Sequence, residues 1–137
     1  MRSIRFIPFD QLHQKYGALK DAHKTQDLIV LIESQSMLKG AQWHPERLFF
    51  LLSSARHFVQ TLKEKGFNVL YHKAENTSAG LEEIQRQHPD TPLICAEQSS
   101  FRLTEKLHAR QATFLPNDFF LTPRKLFAAW ASEQKIF

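Results

Sequence analysis

Asp10 and Gln11 follow a short apolar run, Ile4-Arg5-Phe6-Ile7, that Pro8 stops. One carboxylate and one amide at that place can hold a ribose or ribityl hydroxyl, or a ring N–H. The same aspartate can instead cap the turn after a strand, since Asx turns are common there. Glu33 closes a second run, Leu28-Ile29-Val30-Leu31-Ile32. A carboxylate at such a strand end can contact a ribose, or can simply be a solvated terminus. The histidines suggest less. His44 precedes Pro45 and reads as a helix cap, His57 flanks a core stripe, and neither H-E-x-x-H nor three histidines at ligand spacing occurs. No metal site is expected. Cys95, the single cysteine, lies inside an apolar run. It reads as an inert buried thiol, because nucleophilic chemistry would need a turn that exposes the sulfur. Neither G-x-G-x-x-G nor G-x-x-x-x-G-K-[ST] is present, and the four glycines (Gly17, Gly40, Gly66, Gly80) are too scattered to wrap a pyrophosphate. ATP hydrolysis is not expected.

The elements that must position these residues follow from periodicity. Strands are expected at residues 4–7, 28–32, 67–71 and 92–96, with a weaker one at 112–115. Between the second and third, a loop containing Gly40 leads to His44-Pro45. There proline in the first turn opens a helix carrying Leu48, Leu51, Leu52, Ala55, Val59 and Leu62, which Gly66 ends. A short helix holds Leu81 and Ile84, another runs from Phe101 to Arg110, and Thr122-Pro123 starts a last one with Leu126, Phe127 and Trp130. Residues 13–26 are polar, anchored only by Tyr16, Ala18 and Leu19. Strands alternating with helices imply right-handed crossovers. The expected fold is α/β: a Rossmann-like, doubly wound parallel sheet of about five strands with helices on both faces. Ligands of such folds bind beyond the carboxyl ends of the strands. Here those ends carry Phe9-Asp10-Gln11-Leu12, Glu33-Ser34-Gln35, His72-Lys73 and Glu97-Gln98-Ser99-Ser100, a polar and partly acidic rim.

Size and composition bound the rest. The 137 residues, 42% of them hydrophobic, suit one globular domain, and 23% charged with 12% aromatic residues argues against disorder. Eighteen basic against fourteen acidic residues leave +4, compatible with a nucleic acid partner but too little to define one. One cysteine excludes an internal disulfide, and also an all-cysteine metal or iron–sulfur site built from this chain alone. A reducing, cytoplasmic location is the expectation. No run reaches the about 18 apolar residues of a membrane span.

Phe49 and Phe50 widen the apolar arc of the long helix, and Phe119-Phe120 and Ile136-Phe137 add more. The plainer reading is a central helix buried all round. The sharper one is a docking face for the rest of a larger protein or for a second copy.

An ordered set of residues resembles a known family. Asp10-Gln11-Leu12, the run from Asp27 to Glu33, His44, Ser53-Ser54-Ala55-Arg56-His57-Phe58, Gly66 to Tyr71, Glu97 with Phe101-Arg102, and Phe120-Leu121 through Phe127 and Trp130 recur in its order. They are similar to the N-terminal domain of the deoxyribodipyrimidine photolyase-related proteins, the bacterial photolyases and cryptochromes with an iron–sulfur cluster. The resemblance implies one antenna-type α/β domain over residues 1–137. It precedes a helical domain, not in this chain, that binds FAD, holds the cluster and docks damaged DNA. It also implies light-driven repair of (6–4) photoproducts or blue-light signalling, with no catalysis by this chain alone. A ribityl lumazine antenna would sit at the carboxyl-end rim, on Phe9, Asp10, Gln11, Leu12, Glu33 and Met37. Three positions depart from the family pattern: Phe9 replaces its glycine, Met37 an acidic residue, and Trp43-His44-Pro45 a His-His-Lys run. The expected partner is the helical FAD domain or a second copy, with damaged DNA bound by the full-length protein and no membrane. The alternative is a stand-alone module that binds a nucleotide or flavin precursor.

Overall fold

In the computed structural model, which describes residues 1–40 and 43–134, Ser3–Phe6 forms β1 and Asp27–Ser34 forms β2. They pair in parallel with Ile4 opposite Leu28 and Phe6 opposite Val30. All eight residues of β2 are buried, as a continuous apolar run demands of a strand covered on both faces. Asn68–Ala74 (β3), Leu93–Ala96 (β4) and Thr113–Leu115 (β5) complete one parallel sheet in the order β3-β2-β1-β4-β5. The order reverses between β1 and β4, which makes that junction the switch point of a doubly wound sheet. β3 runs on past Tyr71, so His72 and Lys73 are strand residues paired with Ile32 and Glu33 and not loop residues at the rim.

Helices cover both faces. Pro45–Glu64 (α2) packs Ala55, Phe58, Val59 and Leu62 against Ile29 and Leu31. Thr77–Gln87 (α3) and Phe101–Ala109 (α4) bring Leu81, Ile84 and Leu107 onto Leu28, Val30 and Ile32 on the other face. The even and odd residues of β2 thus serve two separate cores, each apolar side chain contributing roughly 1.5–3 kcal/mol. Between β1 and β2 the chain makes only one 3-10 turn, Gly17–Leu19, and Tyr16 beside it is half-exposed and not an anchor. Gly17 has φ +64°, and a Cβ there would lie 2.8 Å from the Phe119 ring. Gly17→Ala is therefore expected to cost about 1–3 kcal/mol, read as a lower thermal midpoint.

Two features differ from the sequence reading. The segment after β2 is not wholly loop: Gln35–Gly40 forms a short helix, α1, started by the Ser34 hydroxyl, which accepts from the Met37 N–H at 3.2 Å. Nor is α2 buried all round. Phe49 and Phe50 are 74% and 68% exposed, and no residue from Pro45 to Ser54 is buried. Only the second half of α2 meets the core. Arg124–Glu133 (α5) buries no residue and leaves Leu126, Phe127 and Trp130 exposed. Ile136 and Phe137 lie outside the described residues. Among the described residues, no helix is long and apolar enough to cross a membrane.

Candidate functional site

At the switch point, where such a fold usually leaves a crevice, side-chain amides fill the space. The buried Gln11 donates from Nε2 to the Glu97 carbonyl at 3.0 Å, and Asn117 Nδ2 donates to the same oxygen at 3.0 Å. Gln11 Oε1 is buried with no partner among the described residues. Gln98 is buried beside them, with Nε2 donating to the Ala96 carbonyl. This amide plug ties the end of β1 to the end of β4; it uses the Gln11 Nε2 and leaves the Gln11 Oε1 without a partner among the described residues.

Glu33 is withdrawn as well. As an odd-numbered residue of β2 it faces α2, and it is almost fully buried. The Tyr71 hydroxyl donates to its Oε2, Arg56 Nη2 donates to the same oxygen at 3.0 Å, and Lys73 Nζ lies 3.9 Å from Oε1. Burial pushes the Glu33 carboxyl up, but the bonds from Tyr71 and Arg56 outweigh it and leave it below its ordinary value. Burial and the neighbouring carboxylate push Tyr71 up to about 12. Glu33 is neither a solvated strand end nor an open acceptor; it is held by a phenol and two cations.

One of several open spaces among the described residues lies beside this latch. A cavity of about 270 Å³ opens over the ends of β1 and β2, lined by Phe6, Pro8, Phe9, Asp10, Ile32, Ser34, Met37, Trp43, Arg47, Leu51, Thr77 and Leu103. Of the six residues expected at a binding rim, it gathers Phe9, Asp10 and Met37. Gln11 is in the plug, Glu33 in the latch, and Leu12 packs with the core under α2. Phe9 is shared: it lines the cavity and stacks on Tyr71 at 6.2 Å with rings 8° apart. The sequence reading missed the opposite wall. Trp43 donates from Nε1 to the Met37 carbonyl at 3.1 Å, and the Arg47 guanidinium lies 4.1 Å from the centre of its ring. An aromatic residue four positions before an arginine across a helix start was the available signal.

Other sequence readings are met directly. His44 caps α2, its Nδ1 accepting from the Glu46 N–H at 3.3 Å. Cys95 is wholly buried and its thiol is pushed up to about 12 by burial, which removes thiolate chemistry at neutral pH.

A five-stranded parallel sheet in this order, covered by helices and with a cavity beyond its carboxyl ends, defines a Rossmann-like α/β protein. The chain belongs to the deoxyribodipyrimidine photo-lyase-related protein family, whose model matches residues 5–137. Among curated proteins it is similar to a (6-4) photolyase of Agrobacterium fabrum, 29% identical over 147 aligned positions that cover 98% of this chain. The match takes in 29% of that relative, so the chain spans under a third of its length.

Proposed function

We propose that this chain is the α/β unit of a light-dependent flavoprotein acting in DNA repair or blue-light signalling, and that it works by docking onto a helical, FAD-binding unit. The observation that carries this reading is the pair of uncovered helices. α5 buries nothing, and the first half of α2 buries nothing, yet they present Phe49, Phe50, Leu126, Phe127 and Trp130. A ten-residue helix without a packed face is marginal in water, so a second surface must support it. Membership of the family and the similarity to a (6-4) photolyase support reading that partner as the part that carries the light-driven chemistry. Lesion docking and flavin redox steps belong to it, because one buried cysteine cannot hold an iron–sulfur cluster and the switch-point crevice here is filled.

The test mixes this chain with the remainder of the Agrobacterium fabrum relative, expressed separately, and follows complex formation by light scattering. A one-to-one complex is expected, weakened at least about tenfold by Phe50→Glu or Trp130→Glu, a change of about 1.4 kcal/mol. The complex is then illuminated with DNA carrying a (6–4) photoproduct; repair identifies the activity, and its absence from a stable complex favours signalling. A homodimer closed through the same faces, with no affinity for the helical unit, would overturn the reading. The alternative, a stand-alone module for a nucleotide or flavin precursor, is favoured by the rim cavity alone.

A further inference from the structure

We propose that β3 is a self-pairing edge: its outer side binds the β3 of a second copy of this chain, antiparallel across a two-fold axis. The sheet order leaves two edges, β3 and β5. β5 is guarded in two of the usual ways, since it is three residues long and Pro116 follows it. β3 lacks both guards. It runs seven residues, its register with β2 is unbroken from Asn68 to Ala74, and it holds no proline. Val69, Leu70 and Tyr71 in its first half are half-buried, and the exposed Lys73 lies 3.9 Å from Glu33. In a strand, alternate residues turn their N–H and C=O groups to opposite sides, so half of those groups in β3 point away from β2. Among the described residues, the backbone of residues 69–74 has no partner besides β2. Such a row of free donors and acceptors is a template for another strand.

Charge selects a second copy, and it selects the antiparallel direction. The start of β3 is basic. The Lys24 carbonyl accepts from the Asn68 N–H at 2.8 Å, and Lys24 Nζ lies 5.8 Å from the centre of the Phe67 ring. The exposed Lys63 and Lys65 stand beside them at the end of α2. None of these three lysines is in an ion pair among the described residues. The far end is acidic: the exposed Glu75 follows β3 at once, and Glu83 lies 3.0 Å from His72. A two-fold axis at Tyr71, the middle of the strand, overlaps all seven residues. It sets Val69 opposite Lys73 of the second copy and Leu70 opposite His72 of the second copy, so no like charges face each other. One step further out, Glu75 comes opposite Phe67 of the second copy, beside its Lys24. A parallel pairing in register would instead set acid on acid and base on base. Neither α5 nor Phe49 and Phe50 enter this geometry, so failure here leaves the docking reading standing.

Sedimentation equilibrium of the chain, with hydrogen exchange of the β3 amides, tests the pairing. The mass is expected to rise from 16.0 kDa towards twice that value between about 1 and 100 µM, and protection of the outward β3 amides to rise with it. Glu75→Lys and Lys24→Glu are each expected to weaken the dimer about tenfold, because the two-fold repeats the contact. The double variant restores the pair with its charges exchanged, and its affinity returns to within about threefold of the parent. Phe50→Glu and Trp130→Glu, placed on the faces assigned to the helical unit, leave the β3 dimer intact. A mass that stays at 16.0 kDa up to about 1 mM overturns the proposal. So does a dimer that Phe50→Glu breaks, or folded single variants that associate like the parent. Protection of the outward amides only in the complex with the helical unit would give this edge to that unit, and self-pairing would fall.

Discussion

Asp27→Ala is expected to destabilise the chain by about 3–5 kcal/mol, a large share of the about 5–15 kcal/mol that holds a typical domain together. Asp27 opens β2 with a fully buried carboxylate. Arg2 donates to it at 2.9 and 2.5 Å, the buried Arg5 approaches to 3.0 Å, and the Ser3 hydroxyl and the His23 N–H each donate at 2.8 Å. Arg5 in turn donates to the carbonyls of Ala18 and Lys20, fastening the 3-10 turn to the sheet. Removing the carboxylate strands a buried guanidinium, which costs far more than the bonds themselves.

The same group sets an acid limit. Burial pushes the Asp27 carboxyl up, but the bonds from Arg2, His23 and Ser3 and the charge of Arg5 outweigh it and hold it far below the carboxylate range. Because the folded value is depressed, the stabilisation is complete above the unfolded pKa of about 3.9 and is lost as pH falls below it. The loss runs at about 1.4 kcal/mol per pH unit until the folded value is reached. Urea unfolding of the protein and of Asp27→Asn should therefore show a stability gap that is constant from about pH 7 to 5 and narrows below about pH 4. A gap that stays constant down to about pH 2 would assign the acid limit to other groups.

Phe58→Ala is expected to cost about 3–5 kcal/mol, whereas Phe50→Ala two turns earlier on the same helix stays within about 0.5 kcal/mol. Phe58 is buried with Ile29, Leu31, Val59 and Leu62, and these contacts of the second half of α2 are what keep its first half over the cavity. Phe50 touches no core, so in the isolated chain its loss removes little. Denaturant midpoints for the two variants check the contrast. Equal losses would mean that α2 is covered along its whole length in solution.

The alternation of elements was legible from residue order, because the signal is local. A continuous apolar run bounded by Asp27 and Glu33 has few alternatives to a strand covered on both faces, and β2 extends it by one residue, to Ser34. His44-Pro45 marks a helix start through the proline's fixed φ and the imidazole's cap. Even the weak strand at Thr113–Leu115 was readable as a short break between helix patterns. The fate of Cys95 followed from its neighbours in the chain.

The site was legible only in outline. Phe9 and Asp10 follow β1, and the sheet topology sends strand ends to one rim; Met37, inside α1, was offered only by the family resemblance. Which polar groups remain free there was not decided locally. Gln11 finds its acceptor 86 residues away, at Glu97, and Glu33 finds Arg56 and Tyr71 at 23 and 38 residues. Pairings at such separations depend on where the crossovers set down each strand, and residue order does not record that. The exposure of Phe49 and Phe50 has the same origin. Helical periodicity says which side of α2 is apolar, but only the extent of the packed sheet beneath it decides how much of that side is covered.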